Sequence, residues 1–324
     1  MRRVLITGGN GFIGHHLCTE LLSSGWEVRG TIRRPEAQGK LVPGIETVIV
    51  DVTRDDGWLA AVSGVDAVVH LVGRTHVLHD RASDPLDAYR SVNVDGTQRV
   101  LRACVEARVP RFIYLSSIKA VGEGAQSPYS ETSPCNPEDA YGITKREAEI
   151  AVLEMVSNTD LQAIIVRPPL VYGPGVKGNF LQILRFADRG IPLPLGCTHN
   201  ARSMVFVGNL TSAIAALLDQ PTTKESIFHV VDDGEPLSTK ELVTRLGHLL
   251  GRKVHHIPIP VPLLRLGGGL LGHSGEVMRL VSSLTVFGER IKEALNWTPP
   301  YTVEEGLAET VDWYRTTLGK SKTL

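Results

Sequence analysis

Apolar residues along the 324-residue chain fall into short β-branched runs that alternate with helical spacings. The first run, Val4-Leu5-Ile6, leads through Thr7 into the glycine-rich turn Gly8-Gly9-Asn10-Gly11. Ile13, Leu17, Leu21 and Leu22 then recur at helical spacing, and Gly25 stands where a helix would close. This order predicts strand, tight turn and helix. Further strands are predicted at 27–33, 47–50, 67–72, 111–115 and 162–166. Helices are predicted at 84–107, with Asn93 and Thr97 as polar interruptions, and at 140–149. Strands alternating with helices imply an α/β fold with a doubly wound parallel Rossmann sheet. Beyond Leu170 the rhythm changes. The stretches around Tyr172-Gly173-Pro174-Gly175 and Ile191-Pro192-Leu193-Pro194 read as loops, 205–207 and 227–231 as short strands, and 237–250 and 303–318 as helices. Of the two short strands, 227–231 is expected to rejoin the main sheet. The expected division is a dinucleotide-binding domain at 1–170, with 201–234 returning to it. Segments 171–200 and 235–324 form a smaller C-terminal substrate-binding domain, with a ligand in the cleft between.

The net charge of −1 gives no reason to expect nucleic acid or a membrane surface as a partner. Cys18, Cys104, Cys135 and Cys197 show neither metal nor disulfide spacing, which fits a reducing cytoplasm. The first residues enter a strand directly, so no signal peptide is expected. The apolar stretch 257–271 is broken by three prolines, Arg265 and a glycine triplet, too short and irregular for a bilayer span.

The opening turn has the form that binds a dinucleotide. Gly8 permits the tight turn, Gly11 lets the backbone approach a pyrophosphate, and Gly14 lets the helix pack against the strand; Phe12 and Ile13 lie between. The helix start offers free N–H groups and partial positive charge. NAD-preferring units place a carboxylate at the end of the second strand; this chain has Ile32 and then Arg33-Arg34. Arginine there suits a 2′-phosphate, so NADP(H) is favoured and NAD(H) remains the alternative. Asp51-Val52 ends the third strand, where a carboxylate can meet the adenine amino group. Leu71-Val72-Gly73-Arg74 ends the fourth, beneath the cofactor.

Tyr141 and Lys145 are four apart on a predicted helix and share a face. A phenol with a pKa of about 10 is a poor base at neutral pH. A nearby ammonium favours the phenolate, and a drop of roughly 3 units requires about 4 kcal/mol of differential stabilisation. Lys145 and the positive nicotinamide of an oxidised cofactor are expected to supply it. Ser117 is placed to hydrogen-bond the substrate oxygen.

With these residues the chain resembles the extended short-chain dehydrogenase/reductases, the nucleotide-sugar epimerase, dehydratase and reductase group, over nearly its whole length. The marks are Thr7-Gly8-Gly9-Asn10-Gly11-Phe12-Ile13-Gly14, Asp51-Val52, Asn93, Ser116-Ser117 and Tyr141-Gly142-Ile143-Thr144-Lys145. Arg167-Pro168-Pro169-Leu170-Val171-Tyr172-Gly173-Pro174 and Leu295-Asn296-Trp297-Thr298-Pro299 complete them. The resemblance implies that Ser117, five before Gly122, is the catalytic serine rather than Ser116, and that Lys145 also holds the nicotinamide ribose. It implies cofactor contacts at Asn93, Ser116 and Pro168, and substrate contacts at Arg74, Asn179, Arg202 and Arg279, the last three around a UDP group. His70-Leu71-Val72-Gly73-Arg74, Ser116-Ser117-Ile118-Lys119 and Val176-Lys177-Gly178-Asn179-Phe180 are similar to a bacterial surface-polysaccharide branch. That branch holds reductases of UDP-4-keto-6-deoxy-hexosamines and UDP-hexose 4-epimerases.

An epimerase retains its NAD; a reductase exchanges its cofactor each turnover, and Arg33-Arg34 favour an exchanged NADPH. Dehydratases carry an Asp-Glu pair after the catalytic threonine, whereas Ile118-Lys119 follow Ser117 here; no carboxylate acid/base pair is expected beside the site. A non-catalytic NADP-binding sensor is the third reading, and such relatives typically lack the tyrosine or lysine that this chain keeps. His70, His76 and His79, and the pairs His15-His16 and His255-His256, lack metal-ligand spacing, so no metal is expected. Two helices, at 84–107 and 137–157, resemble those that pair in the family's homodimers.

Overall fold

The computed structural model describes residues 2–75, 84–124, 127–220, 225–270, 272 and 274–318. His76 and His79 lie outside the described residues. The chain opens with β1 (Arg3–Thr7), α1 (Phe12–Ser23), β2 (Glu27–Ile32), β3 (Glu46–Ile49), α2 (Trp58–Val62) and β4 (Ala67–His70). It continues through α3 (Pro85–Arg90), α4 (Gly96–Glu106), β5 (Arg111–Leu115), α5 (Ala140–Ser157), β6 (Gln162–Arg167), β7 (Leu170–Tyr172) and α6 (Gly178–Arg189). Then follow β8 (Met204–Phe206), α7 (Val207–Asp219), β9 (Glu225–His229), α8 (Thr239–Leu249), α9 (Val261–Leu270), α10 (Ser274–Val281), α11 (Glu289–Leu295) and α12 (Val303–Thr317).

Seven strands form one parallel sheet in the order β3-β2-β1-β4-β5-β6-β9. Val4 pairs with Val28 on one side and Ala67 on the other. Val4, Leu5 and Ile6 are fully buried, as a central parallel strand covered on both faces requires. Alternation sorts their side chains: Val4, Ile6, Val69 and Ile113 share a core with Leu17, Leu21 and Ile214. Leu5, Val68, Phe112 and Ile165 pack with Val100, Leu101 and Val152 on the opposite face. Each such side chain contributes about 1.5–3 kcal/mol by leaving water. A third core, with Phe180, Leu184, Leu242 and Leu307, packs around the small sheet β7-β8.

The segment 227–231 does rejoin the main sheet, as β9 beside β6. Several expectations change. The helix expected at 84–107 is divided by a π-turn, Ser91–Asp95, which sets the fully buried Asn93 inward. Such bulges open the helical ladder and re-aim a side chain. The stretch 171–200 holds α6, whose Phe180, Leu184 and Ala187 follow helical spacing and are buried. The residues 205–207 straddle two elements: β8 ends at Phe206, and Val207 begins α7. Within 257–271 the chain forms α9, which exposes Leu263, Leu266 and Leu270. Among the described residues no helix is long and apolar enough to cross a membrane.

Candidate active site

The carboxyl ends of β1 and β4, where the strand order reverses, frame a crevice. Gly8 adopts φ +70°, a conformation that disfavours a side chain, and the Gly11 N–H donates to its carbonyl at 2.9 Å. A Cβ on Gly14 would stand 2.3 Å from the Gly8 oxygen, so only glycine lets α1 start this close to β1. Gly11 provides no side-chain cap and the first turn of α1 carries no acidic residue. These amides and the helix dipole suit an anion. Phe12 and Ile13, partly buried, anchor the same turn on the third core. Thr7 Oγ1 accepts from the Leu71 and Val72 amides at 3.0 and 3.2 Å and ties β1 to the end of β4.

Gly8, Arg33, Arg34, Asp51, Val52, Val72, Gly73 and Arg74 line one cavity of about 410 Å³. Ile32 is on its wall, and Arg33 and Arg34 follow it. Asp51 Oδ1 accepts from the Thr53 amide and hydroxyl at 2.9 Å each. Burial opposes ionisation of Asp51, but these hydrogen bonds and the charge of Arg33 hold it below the usual carboxylate range. The glycine turn, the uncapped helix and this cavity fit a dinucleotide.

Lys145 and Tyr141 meet next to this crevice. Lys145 Nζ donates to the Leu115 carbonyl at 2.7 Å and lies 6.0 Å from the Tyr141 ring centre. The Tyr141 phenol is hydrogen-bonded to Ser117. A Cβ on Gly73 would meet Lys145 Nζ at 3.2 Å, so Gly73 leaves the ammonium its room. Without a bound nicotinamide, burial sets the electrostatics of the pair. Burial pushes the Tyr141 phenol up to about 12 and the Lys145 ammonium down to about 7. Desolvation is the largest cause in both: for Tyr141 it outweighs the Ser117 hydrogen bond and Asp139 adds to it, and for Lys145 it outweighs the charge of Glu149.

Asn93 is engaged in the framework. Its Oδ1 accepts from the Arg74 amide at 2.7 Å, and its Nδ2 donates to the Arg74 carbonyl at 3.1 Å and to Thr144 Oγ1 at 3.0 Å. It thus links the strand end under the crevice to the helix of Tyr141. The Ser116 hydroxyl donates to Glu149 Oε1 at 2.6 Å, and the Pro168 carbonyl accepts from the Ile118 amide at 3.0 Å. His70 is an interior link. Thr97 gives its proton to the Asn93 carbonyl, so it accepts from His70 Nε2, and His70 Nδ1 accepts from Thr7. Burial first, and then the Lys145 charge, lower His70 to about 3, so it is neutral.

Asn179, Arg202 and Arg279 line a second cavity of about 510 Å³, together with Gln182, Phe186 and Leu193. Arg202 Nη1 donates to the carbonyls of Arg279 and Ser282 at 3.1 and 2.9 Å. Burial lowers its pKa, and Glu123 counteracts this.

Two clusters escaped the sequence. Lys119 Nζ donates to Asp139 Oδ2 at 2.6 Å and Glu123 Oε1 at 2.7 Å, so two carboxylates do stand beside the serine turn. Both are ion-paired to Lys119. Behind Lys145, buried Glu149 accepts two hydrogen bonds from buried Arg167, at 2.8 and 2.7 Å. The spacing of Tyr141, Lys145 and Glu149, one helical turn each, is the signal that pointed there.

A glycine-turn crevice beside a half-buried tyrosine and a buried lysine one helical turn on defines the class of the extended short-chain dehydrogenase/reductases. More narrowly, the chain belongs to the NAD dependent epimerase/dehydratase family, whose model matches residues 4–230. A UDP-glucose 4-epimerase of Vibrio cholerae is 36% identical over 95% of this chain and 94% of its own length. An N-acetyl-alpha-D-glucosaminyl-diphospho-ditrans,octacis-undecaprenol 4-epimerase of Escherichia coli O157:H7 is 28% identical, over 96% and 94%. Among solved structures, MoeE5 in complex with UDP-glucuronic acid and NAD superposes with a TM-score of 0.77 at 25% identity, covering 98% of this chain and all of that one.

Proposed function

We propose that the chain is an NADP(H)-dependent reductase acting at C4 of a UDP-4-keto-6-deoxy-hexosamine in bacterial surface-polysaccharide synthesis, working in the cytoplasm as a homodimer. The observation that carries the choice is the end of β2: Ile32 stands where an NAD-binding carboxylate would, and Arg33 and Arg34 flank the same cavity. Segments 1–170 and 201–234 hold the cofactor in this reading, and 171–200 with 235–324 the substrate.

NADPH, when bound, supplies the hydride. The chain's part is placement and the proton. Arg202, Arg279 and Asn179 hold the diphosphate, for which arginine forks are suited. Ser117 orients the carbonyl oxygen, and Tyr141 gives it the proton as negative charge develops there. A phenol held at about 12 is protonated at neutral pH and ready to act as the acid. Lys145 holds the ribose and restrains the phenolate left behind.

The 36% identity to the Vibrio cholerae 4-epimerase favours a second reading, epimerisation of a UDP-hexose with retained NAD. Heating freshly purified protein and identifying the released nucleotide separates the two. Protein that releases none but binds NADPH at least about tenfold tighter than NADH supports the reductase, a difference of about 1.4 kcal/mol. Stoichiometric released NAD refutes it.

A further inference from the structure

We propose that Lys119 is a positioning residue: clamped by Asp139 and Glu123, its ammonium locks the turn carrying Ser117 to the helix carrying Tyr141. The proposal rests on the roles given to Ser117 and Tyr141 above.

Ser117 and Tyr141 come from elements far apart in sequence, and proton transfer between phenol and substrate depends on their separation. Each stands at the start of a helical segment. Ser117 is the N-cap of the 3-10 turn Ile118–Ala120, with Oγ accepting from the Lys119 amide at 3.3 Å. Asp139 is the N-cap of α5, with Oδ1 accepting from the Gly142 amide at 2.7 Å. Its other oxygen takes the Lys119 ammonium at 2.6 Å, and Glu123 takes it at 2.7 Å. The cap that starts the tyrosine helix is thereby tied to the residue two positions after the serine. The backbones meet at the same place, since a Cβ on Gly142 would stand 2.4 Å from the Lys119 carbonyl oxygen. Lys119 is 18% exposed, so solvent screens this clasp only partly.

The clasp also acts electrically. Around Tyr141 stand Asp139 and Lys145 on its own helix, Ser117 on the facing turn and Tyr89, whose ring centre is 6.5 Å away. Glu149 lies behind Lys145, Arg74 lies over Tyr89, and Tyr114 lies under the Lys145 ammonium. Of these, Asp139 is the carboxylate that raises the phenol. Lys119 holds Asp139 ionised and offsets its charge.

The test compares Lys119→Met, Lys119→Arg and Asp139→Asn with the wild type. Two readouts are used: kcat and KM, and ultraviolet titration of the Tyr141 phenolate with oxidised dinucleotide bound, subtracting each variant's Tyr141→Phe counterpart. For Lys119→Met the expectation is a kcat lowered at least about 30-fold with KM within about threefold, and recovery of most of the loss in Lys119→Arg. The phenolate midpoint rises in Lys119→Met and falls in Asp139→Asn, which keeps an amide oxygen for the cap. Both the acid limb of oxidation and the alkaline limb of reduction follow the same shift. Unchanged midpoints in the two variants overturn the proposal, as does a loss confined to KM, which would make Lys119 a substrate ligand. If Lys119→Met does not fold, Asp139→Asn carries the test alone. If the wild type turns over no nucleotide sugar, the functional reading fails while the titration still decides the clasp.

Discussion

The Lys145 ammonium donates to the Leu115 carbonyl at 2.7 Å and stands 6.0 Å from the Tyr141 ring centre. Burial lowers it to about 7 from an ordinary value near 10.4. Between those two values the unfolded chain holds a proton that the folded chain has released. Stability therefore rises with pH through this window. Thermal melts of the wild type and Lys145→Met should diverge in the wild type's favour from pH 7 towards pH 10. A pH-independent difference would show that Lys145 keeps its charge in the fold.

Replacing Tyr141 by Phe removes the proton donor and almost no volume. The expected loss in kcat is about 10²–10⁴-fold, with nucleotide affinity within a few fold. Near-normal turnover on the true substrate would sink the assignment. Ser117→Ala should lose less, since it orients the oxygen but does not transfer the proton.

Gly14 and Gly39 give a contrast between a required and an incidental glycine. A methyl group at Gly14 would collide with the Gly8 carbonyl, whereas nothing lies within 4 Å of the Cβ position at Gly39. Gly14→Ala should cost about 1–3 kcal/mol in urea unfolding and weaken dinucleotide binding, while Gly39→Ala should be close to neutral.

Arg33 and Arg34 can be tested by exchanging both for serine. NADPH affinity should fall at least about tenfold, and NADH affinity should change little. Equal losses for both cofactors would assign the arginines a role unrelated to the 2′-phosphate.

Arg167 and Glu149 form a buried pair with side-chain exposures of 1% and 0%. Arg167→Met leaves the buried Glu149 carboxylate with Arg146 and the Ser116 hydroxyl but without its bidentate partner, and should destabilise the protein by about 1–3 kcal/mol. Adding Glu149→Gln should recover part of that loss, measurable by chemical denaturation.

Where the chain's own neighbours decide the outcome, the sequence was legible. The β1 turn needs glycine at Gly8 and Gly14 for steric reasons confined to a few residues. Tyr141 and Lys145 share a face because of helical spacing alone. The α6 pattern, Phe180, Leu184 and Ala187, was not read as a helix, because the prolines and glycines on either side mask its spacing. Asn179, Arg202 and Arg279 were picked out by resemblance, and only the fold brings them to one cavity.

The amino-acid order by itself thus determined the parallel α/β frame, the dinucleotide turn and the tyrosine–lysine pair, because backbone sterics and side-chain periodicity act over one or two turns of chain. The tertiary structure alone decided that Asn93 is a tie rather than an open contact, and that Lys119 joins Asp139 to Glu123. It also decided that burial opposes the charge on both Tyr141 and Lys145. Desolvation and ion pairing depend on which distant segments exclude water around a group, and no local pattern encodes that.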